Sequence, residues 1–588
     1  MHYNSLKSPY IFNHSKMGSN QISQTPLEKI GLSCSGGGYR AASYHLGAMS
    51  YLNKVSYNHK PLLENVKLIS TVSGGTITGI VYALQKQEGK SFVEIYHFLL
   101  GKLQTLDLVK SGIEKLNPGA HWDNPGKHKN LINAFAEQYD LHFTKGATLS
   151  ALDPMNAHLD AVVFNSTEFT NAVDFRFKNR EWPFTGNFYN RIKNEVAAEI
   201  KLADAMASSS CFPGGFEPMI WPDDFVHKNA PNLKKLKEST TEVMGIMDGG
   251  IYDNQGIDAM LSYKASESTP YFDLVIVSDV ASPYMEPYKP YAEKEKKGWR
   301  AFAVNEAYKK IAGYSKRVNT MLITIALIFF GLPFISGYDN NLWTGVSITL
   351  GILALFTYLL KLYVQSRLEK VKQKISDYLL KLEDNFLVKN LSQLKVGELS
   401  VHRAEPLIMD RLNSLISLLM NVFLKVVRRL NYKILYNNNN YTYRRISNLI
   451  KQLTEEDFNT NQKRRKQQGF SERLEKNSVL IGEYGDIISK EIGAIADEAS
   501  SFGTTLWFTN DDKLNDMLEK LVVLGQVTMC YNLLWYLENL IYTDNIGFEA
   551  LQPEVQKNIL STYEQCKNDW LEFNKVPDRL YKELAKLY

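Results

Sequence analysis

The stretch LISTVSGGTITG, Leu68 to Gly79, is the part of the sequence from which the fold is best predicted. An apolar run ends at Val72, Ser73 follows it, and two glycines lead into a helical pattern. A sharp turn from a strand into a helix lifts a serine above the edge of a sheet, and small neighbours permit so tight a turn. Ser73 is therefore a candidate nucleophile, although Thr71 stands where a glycine usually lies two residues before such a serine.

A glycine-rich loop follows an earlier apolar strand, in GLSCSGGGYRAA, Gly31 to Ala42. Three consecutive residues, Gly36, Gly37 and Gly38, let backbone N–H groups converge on an anion at the start of a helix. Arg40 lies two residues further on, and its forked donors match either a phosphate or a structural carboxylate.

An acidic residue completes the set in GIMDGGIYDNQG, where an apolar strand brings Asp248 to a glycine turn. The predicted strands are Ile30–Ser33, Val66–Val72, Ala161–Phe164, Val243–Met247 and Leu274–Val277, with helical patterns between them. This alternation predicts an α/β domain with a largely parallel sheet. We expect the glycine loop, Ser73 and Asp248 each to follow a parallel strand, because open α/β sheets place their sites at the carboxyl ends of strands.

The positions of the histidines favour a Ser-Asp dyad over a triad. An α/β-hydrolase triad runs Ser, Asp, His along the chain, and the only histidine after Asp248 is His402. His227 could serve only with an acid upstream of it, such as Asp174, and nothing in the sequence marks that pair. We therefore expect Ser73 and Asp248 to act without a histidine.

A dinucleotide site is the alternative interpretation of the glycine loop. Gly36, Gly38 and Ala41 fit the pattern G-x-G-x-x-A of a strand-turn-helix nucleotide site. That pattern needs an acidic residue at the end of the next strand, to bind a ribose hydroxyl. The next strand, Val66–Val72, is followed by Ser73 instead, which argues against an oxidoreductase.

Two adjacent uncharged stretches in the middle of the chain predict a transmembrane helical hairpin over residues 318–360. Val318–Tyr338 and Asn340–Leu360 are each long enough to cross a bilayer, and Asp339 lies between them. Lysines and arginines flank the pair on both sides. By the positive-inside rule, the catalytic and C-terminal parts would both face the cytoplasm.

The region after the hairpin is helical in pattern and basic in its first half. Residues 361–476 contain 23 basic and 12 acidic side chains, an excess of 11, which predicts either a solvated face or a surface for anionic lipid. The charge-dense segment Thr454–Asn477 is interpreted as a mobile loop. The apolar run Leu521–Leu537 is interpreted as a buried core helix.

Composition narrows the class of protein further. The chain has 588 residues, 44% of them hydrophobic and 22% charged, which excludes a mostly disordered protein. Its four cysteines are far apart, which argues against a disulfide framework or a cysteine zinc site. A formal net charge of +4 is too small to indicate a nucleic-acid partner.

The sequence from about Lys29 to Pro283 resembles the patatin-like phospholipase family, which is related to the group IV cytosolic phospholipases. The family's glycine loop, G-x-S-x-G elbow and Asp-Gly-Gly motif correspond to Ser35–Arg40, Thr71–Gly75 and Asp248–Gly250. FNSTEF at Phe164–Phe169 with FRF at Phe175–Phe177 is similar to a family strand pair, and ADAMASSSCFPGGFEP at Ala203–Pro218 is similar to a small-residue helix that ends in a proline turn.

The resemblance implies a patatin-like three-layer α/β/α domain and a lipid acyl hydrolase of the phospholipase A or lysophospholipase type. Ser73 would be the nucleophile that forms an acyl-enzyme, and Asp248 would be the general base. Gly36–Gly38 would form the oxyanion hole, and Arg40 would either bind the substrate phosphate or pair with a structural carboxylate. The family's chemistry needs no cofactor and no metal.

These inferences divide the chain into four parts. Residues 1–25 form a polar N-terminal extension, 26–315 the catalytic domain, 318–360 the hairpin, and 361–588 a mainly helical C-terminal region. The expected partners are a phospholipid substrate and the bilayer, with oligomers possible through the hairpin or the helix after it. A non-enzymatic membrane scaffold would be indicated by loss of Ser73 or Asp248, and both are present. A channel is disfavoured because the two stretches carry no charged residue or histidine.

Overall fold

A computed structural model describes residues 22–155, 157–179, 185–240, 243–264, 270–281, 288–292, 294–331, 341–381, 398–481, 488–544 and 547–587. The chain forms two compact units, one made of Met1–Met285 with Val422–Tyr588 and the other of Glu286–Asn421. The catalytic residues predicted from the sequence therefore share one unit with Val422–Tyr588.

The strands are β1 (Ile30–Cys34), β2 (Ser56–Tyr57), β3 (Lys60–Pro61), β4 (Val66–Val72), β5 (Ala161–Glu168), β6 (Val173–Lys178), β7 (Thr185–Gly186), β8 (Arg191–Ile192), β9 (Met219–Trp221), β10 (Met244–Asp248), β11 (Leu274–Asp279) and β12 (Arg445–Leu449). The five strands predicted from the sequence are all present, as β1, β4, β5, β10 and β11. Strand β12 was not predicted.

The helices in the N-terminal segment of the first unit are α1 (Gly38–Lys54), α2 (Gly74–Gln87), α3 (Phe92–Thr105), α4 (Leu108–Lys115), α5 (Leu131–Tyr139), α6 (Asn194–Ala197), α7 (Leu202–Ser209), α8 (Pro231–Ser239), α9 (Gly250–Asp253) and α10 (Ile257–Ser262). Those of the second unit are α11 (Val304–Gly331), α12 (Asn341–Lys381) and α13 (Val401–Ser417). The C-terminal helices are α14 (Leu424–Asn437), α15 (Glu455–Gln468), α16 (Glu472–Asn477), α17 (Lys490–Ser501), α18 (Asn510–Leu514), α19 (Met517–Tyr542), α20 (Pro553–Lys575) and α21 (Arg579–Ala585).

The main sheet has the order β12-β11-β1-β4-β5-β6-β7-β8. Strands β12, β11, β1, β4 and β5 pair in parallel, and β6 to β8 extend the sheet with antiparallel pairs. Strand β10 pairs antiparallel with β5, so the expectation that Asp248 ends a parallel strand was wrong. The reason is that β4 leaves the sheet after Val72, and β10 fills the vacated edge of β5 from the opposite direction.

Side chains alternate between two hydrophobic clusters on the two faces of the parallel sheet. In β11, Leu274 and Ile276 belong to one cluster, while Val275 and Val277 belong to the other. This is the period-two alternation of a strand that is buried on both faces. The sheet is therefore covered on both sides by helices, as the predicted α/β architecture requires.

The C-terminal part contributes to the sheet and to both of its faces. Strand β12 pairs in parallel with β11 and forms an edge of the sheet. Tyr432 and Leu435 of α14 join the smaller cluster, and the buried helix α19 joins the larger one. The prediction of a buried core helix at Leu521–Leu537 is confirmed by α19.

The second unit contains α11 and α12, which contact each other. Among the described residues, one stretch, Gly345–Tyr363, is long and apolar enough to cross a membrane, while the apolar part of α11, Thr320–Phe329, is shorter. The predicted connection around Asp339 lies outside the described residues. The hairpin therefore stays a prediction.

The charge-dense segment 454–477, interpreted as a mobile loop, folds as helices α15 and α16 instead. The Thr454 side chain accepts a hydrogen bond from the N–H of Asp457 at the start of α15. Three acidic residues occupy the first turn, and Arg465 and Lys466 occupy the last. Acidic residues at the start of a helix and basic residues at its end interact favourably with the helix dipole, so the dense charge favours a helix here.

Candidate active site

The elbow residue Ser73 lies between the end of β4 and the first residue of α2, with φ 51° and ψ −122°. A non-glycine residue in this region costs ~1–3 kcal/mol, and such conformations persist where the surroundings impose them. The Ser73 N–H donates to Ser209 Oγ at 3.0 Å, which holds the turn in place. Ser73 itself is half-buried, so its hydroxyl lies at the margin of the core.

Thr71, which replaces the usual glycine of the elbow, fits because a glycine lies opposite it. A Cβ atom built on Gly79 of α2 would lie 2.4 Å from Thr71 Cγ2. The Thr71 hydroxyl donates to Thr76 Oγ1 at 3.0 Å, within the same turn of α2. The departure from the family pattern is thus accommodated by the helix that follows Ser73.

The register of β5 brings Asp248 to Ser73. Adjacent residues of β5, Asn165 and Ser166, pair with Val72 of β4 and with Asp248 of β10. The two strands therefore end facing each other along one side of β5, and Ser73 follows directly after Val72. This places the Ser73 side chain close enough to the Asp248 carboxyl to lower its pKa.

The environment of Asp248 sets its acidity. Burial raises the pKa of the Asp248 carboxyl to about 7, and the hydrogen bonds from the Gly250 N–H and the Ser73 hydroxyl act in the opposite direction. The Gly250 N–H lies 2.7 Å from Asp248 Oδ1. A carboxyl group with a pKa near neutrality that lies beside a hydroxyl can accept the proton of that hydroxyl.

The glycine loop lies against the elbow. A Cβ atom on Gly74 would be 2.1 Å from the carbonyl oxygen of Gly38, so only glycine allows this approach. The Gly36 N–H donates to the carbonyl of Asn254 at 3.1 Å and is thereby occupied. Among the described residues, the N–H groups of Gly37 and Gly38 have no acceptor, and Gly38 is the first residue of α1. These two groups are available to an oxyanion, whereas that of Gly36 is not.

The C-terminal part supports this loop directly. The Tyr39 N–H donates to the carbonyl of Thr505 at 2.8 Å. A Cβ atom on Gly38, which has φ +57°, would be 2.4 Å from the same carbonyl oxygen. Residues near 505 therefore fix the backbone of the candidate oxyanion loop from outside the α/β part of the chain.

Arg40 is held by a main-chain carbonyl. Its Nη1 donates to the carbonyl of Phe502 at 2.6 Å. Burial lowers the pKa of Arg40 to about 10, and the charge of Asp279 acts in the opposite direction. Asp279 already accepts hydrogen bonds from Arg428 Nε at 2.8 Å and Tyr432 Oη at 3.0 Å. The structure thus gives Arg40 a structural partner, and its binding to a substrate phosphate stays a prediction.

Two histidines of the unit that contains Ser73, His45 and His227, lie in structural contacts. The ring nitrogens of His45 contact Ser278 Oγ and the carbonyl of Ser35, each at 2.9 Å, and burial lowers the pKa of His45 to about 4. His227 Nε2 contacts the carbonyl of Glu199 at 2.8 Å. His402 belongs to α13 of the other unit.

Sequence reasoning missed two residues that shape the site. Ser209 Oγ, which accepts from Ser73, donates to the carbonyl of Asn165 at 2.7 Å and so ties the elbow to β5. The Asn254 side-chain oxygen would be 2.5 Å from a Cβ on Gly36 and 2.7 Å from a Cβ on Gly250. It therefore lies between the glycine loop and the turn that follows Asp248. Both residues stand within quoted motifs, ASSSCFPGG and DGGIYDNQG, but neither pattern by itself indicates a contact.

Comparison with known proteins agrees with this geometry. Residues 32–261 match the family model of patatin-like phospholipases. This part of the chain is a patatin-like phospholipase domain. The match begins in β1 and ends in α10, so it contains the glycine loop, the elbow and the acid turn. A search of curated proteins found no match. The domain supports a lipid acyl hydrolase in general terms.

Proposed function

We propose that this protein is a membrane-anchored lipid acyl hydrolase, of the phospholipase A or lysophospholipase type, that uses a Ser73-Asp248 dyad. The observation that carries the proposal is that the Ser73 hydroxyl lies beside the buried Asp248 carboxyl and lowers its pKa, next to the glycine loop. The substrate is a phospholipid ester presented by a bilayer.

In the proposed reaction, Asp248 takes the proton of the Ser73 hydroxyl as the serine oxygen attacks the ester carbonyl. The bond to the alcohol part of the lipid then breaks, and that alcohol leaves with the proton from Asp248. Water, deprotonated by Asp248, then attacks the acyl-enzyme. The bond between the acyl group and the Ser73 oxygen breaks, the fatty acid is released, and the Ser73 oxygen takes the proton back from Asp248. Each step moves one proton between Asp248 and an oxygen atom, so no further base is needed.

Charge that develops on the ester oxygen is stabilised by backbone N–H groups of the glycine loop. Gly37 and Gly38 are the donors in this proposal, because the Gly36 N–H already has an acceptor. Removing a single oxyanion donor from a hydrolase costs ~10²–10³ in kcat, so loss of one of these N–H groups should slow hydrolysis by about that factor. Gly36 then contributes by shape, since a side chain there would collide with the elbow.

Membrane attachment is supported by exposed apolar side chains. On α12, Leu353, Phe356 and Leu360 are each more than half exposed and recur at spacings of three and four. On α14, Leu430 is 55% exposed, and the exposed cations Arg429 and Lys433 lie on either side of it in the sequence. An apolar row beside basic residues suits the interface of an anionic bilayer.

We further propose that both soluble parts face the cytoplasm, because basic residues flank the apolar stretches on both sides. We also propose that α11 and α12, including the part of α12 that follows residue 360, bring copies of the chain together as oligomers. Glycosylation-site mapping on either side of residues 318–360 would test the orientation.

The decisive experiment is mass spectrometry of bilayer lipids incubated with the intact protein and with Ser73→Ala or Asp248→Asn. Each variant should abolish release of fatty acid, and the double variant should be no worse than either single one, since the two residues act as a unit. His402→Ala should keep most of its activity and serves as a control. Full activity in Asp248→Asn would contradict the dyad, and an inactive native protein would favour a non-enzymatic scaffold.

A further inference from the structure

A cavity of about 510 Å³ lies within the C-terminal part of the chain. Its walls come from the edge strand β12, the helix α15 and the helix α19, and its lining residues fall between 436 and 544. None of the residues assigned above to hydrolysis lines it. The cavity is therefore separate from the candidate active site in its lining and needs an explanation of its own.

The lining is strongly basic. Arg445 of β12 and the consecutive residues Arg464 and Arg465 of α15 line the cavity. Of the described residues that line it, only Asp544 is acidic. The lining thus carries a net charge of +2, which attracts an anion.

Arg465 is held in a fixed orientation at the wall. Its Nη1 donates to the hydroxyl oxygen of Tyr531 at 2.6 Å, and its guanidinium lies 3.9 Å from the centroid of the Trp535 ring. Its other N–H groups have no acceptor within the described part of the chain. The nearby acid Glu538 is occupied, because it accepts hydrogen bonds from Ser478 Oγ and the Val479 N–H. A guanidinium that is already oriented loses little entropy when it binds an anion.

Arg464 provides a second guanidinium with a different role. It is half-buried, and it has no hydrogen bond or ion pair with any residue that the structure describes. A cation that lies partly out of water without a counter-charge is unfavourable unless a ligand supplies one. Its position beside Arg465 doubles the number of forked donors at one wall.

These donors favour a phosphate over a carboxylate. One guanidinium fork saturates a carboxylate with two parallel hydrogen bonds, whereas a phosphate monoester offers three oxygens and up to two charges. Apolar side chains, Phe470, Leu474 and Leu540, line the rest of the cavity. We propose that this cavity binds a phosphate monoester whose organic part is at least partly apolar, either a lipid headgroup or a soluble metabolite.

The proposal does not depend on the hydrolase, so its test uses the full chain with Ser73→Ala, which keeps lipid probes intact. Isothermal titration calorimetry in detergent would compare inorganic phosphate, glycerol 3-phosphate, adenosine monophosphate, lysophosphatidic acid and acetate. Arg464→Gln removes one cavity cation at a position with no described partner. Lys463→Gln makes the same charge change at the neighbouring, exposed residue, which does not line the cavity.

We expect saturable binding of at least one phosphate monoester, weakened ~10–100-fold by Arg464→Gln and little by Lys463→Gln, as for a charge-assisted contact. Tightest binding of lysophosphatidic acid would identify a lipid source, and tightest binding of adenosine monophosphate or glycerol 3-phosphate a soluble one. The proposal is overturned if no phosphate monoester binds saturably, if acetate binds as tightly, or if both variants weaken binding equally. Unchanged thermal midpoints in the two variants would exclude misfolding as the cause.

Discussion

At the scale of single residues, Asp248 is the group whose chemistry depends most on its surroundings. Burial raises its pKa to about 7, against about 3.9 for an unperturbed aspartate. The proton is therefore held more tightly in the folded protein than in the unfolded chain. Two measurable consequences follow, one for activity and one for stability.

The first consequence concerns the pH dependence of hydrolysis. The base form of Asp248 is present above its pKa, so kcat/KM should rise with pH to a plateau, with an apparent midpoint near pH 7. Well below the midpoint, activity should fall about tenfold per pH unit. A pH profile on a short uncharged ester measures this, because neither that substrate nor its carbonyl titrates in the range. A profile that stays flat down to pH 5 would contradict Asp248 as the base.

The second consequence concerns the free energy of unfolding. Because the folded pKa is raised, the stabilising contribution of the protonated form is fully present below about pH 4 and is lost as the pH rises to about 7. Replacing Asp248 with the neutral Asn should therefore raise the thermal midpoint at pH 8, and by less at pH 5. Scanning calorimetry of the native protein and of Asp248→Asn at pH 5 and pH 8 tests this. The difference at pH 5 is the control for effects of the substitution that do not depend on pH. An equal or lower midpoint at pH 8 would mean that the carboxylate is stabilised in the fold.

Arg40 is a second single residue whose role can be tested. It is either a structural residue or a ligand of the substrate phosphate. Its bond to the Phe502 carbonyl predicts that Arg40→Ala lowers the thermal midpoint and reduces hydrolysis of phospholipid and of a short uncharged ester together. Arg40→Lys, which keeps the charge and one donor, should lose less on both substrates. A ~10–100-fold loss on phospholipid alone, with an unchanged midpoint, would instead indicate that Arg40 binds phosphate.

At the scale of elements, helices α1 and α19 approach each other through glycines. A Cβ on Gly525 of α19 would lie 2.1 Å from the carbonyl oxygen of Tyr44, and one on Gly47 of α1 would lie 2.0 Å from that of Val522. Backbone atoms cannot move aside as a flexible side chain can. The contact therefore requires glycine on both helices, as in close helix pairs generally.

We expect Gly525→Ala to separate these helices and to reduce hydrolysis, because α1 begins at Gly38 of the glycine loop. The matched control is Gly493→Ala in α17, where the nearest atom to a new Cβ is Ile488 Cδ1 at 3.7 Å, an ordinary contact. That control should be neutral or stabilise by up to ~1 kcal/mol. The thermal midpoint and the rate of ester hydrolysis of the two variants test this expectation. If Gly525→Ala lowers neither quantity more than Gly493→Ala does, the contact between α1 and α19 does not require glycine.

At the scale of the whole molecule, the patatin-like domain does not end where the family match ends. Strand β12 completes the sheet, and the helix α19 covers one face of it. The segment around Thr505 supports the glycine loop. A chain that stops after Asn421 would leave the edge of β11 and the outer face of α1 uncovered. Exposed strand edges and apolar faces of this kind cause misfolding and aggregation.

We therefore expect a chain of residues 1–421 to aggregate or to lack ester hydrolysis, and co-expression of residues 422–588 to restore activity at least in part. Limited proteolysis and ester hydrolysis would measure both. A truncated chain with full activity would show that the catalytic residues hold their positions without the C-terminal part.

The membrane proposal is also a property of the whole molecule. Deleting residues 318–360 should move the protein into the soluble fraction, or leave it bound only through its basic surface, so that high salt then releases it. Sedimentation of membranes, with and without a salt wash, measures the distribution. A deletion variant that resists both salt and carbonate extraction would contradict anchoring by these residues.

The sequence by itself determined the local features of this protein. The glycines around Ser73, the apolar runs before it and before Asp248, and the buried pattern of Leu521–Leu537 each specify an element, because their backbone and solvation requirements are local. The residues around Ser73 and Asp248 also supported the resemblance that the family match over residues 32–261 confirms. Thr454–Asn477 shows the limit of composition alone, since its charges are placed to stabilise helices that a count of charges does not reveal.

Only the tertiary structure decided what depends on pairing between distant segments. The approach of Asp248 from an antiparallel strand follows from the register of β5, and the addition of β12 to the sheet depends on an edge that β11 exposes. The carbonyls of Phe502 and Thr505 reach Arg40 and Tyr39 across more than 450 positions of the chain. Main-chain carbonyls are present at every residue, so no side-chain pattern marks the ones that will be used. Such contacts arise when packing brings the backbone into reach, and for that reason the sequence identified the chemical groups of the candidate site but not the part of the chain that holds them in place.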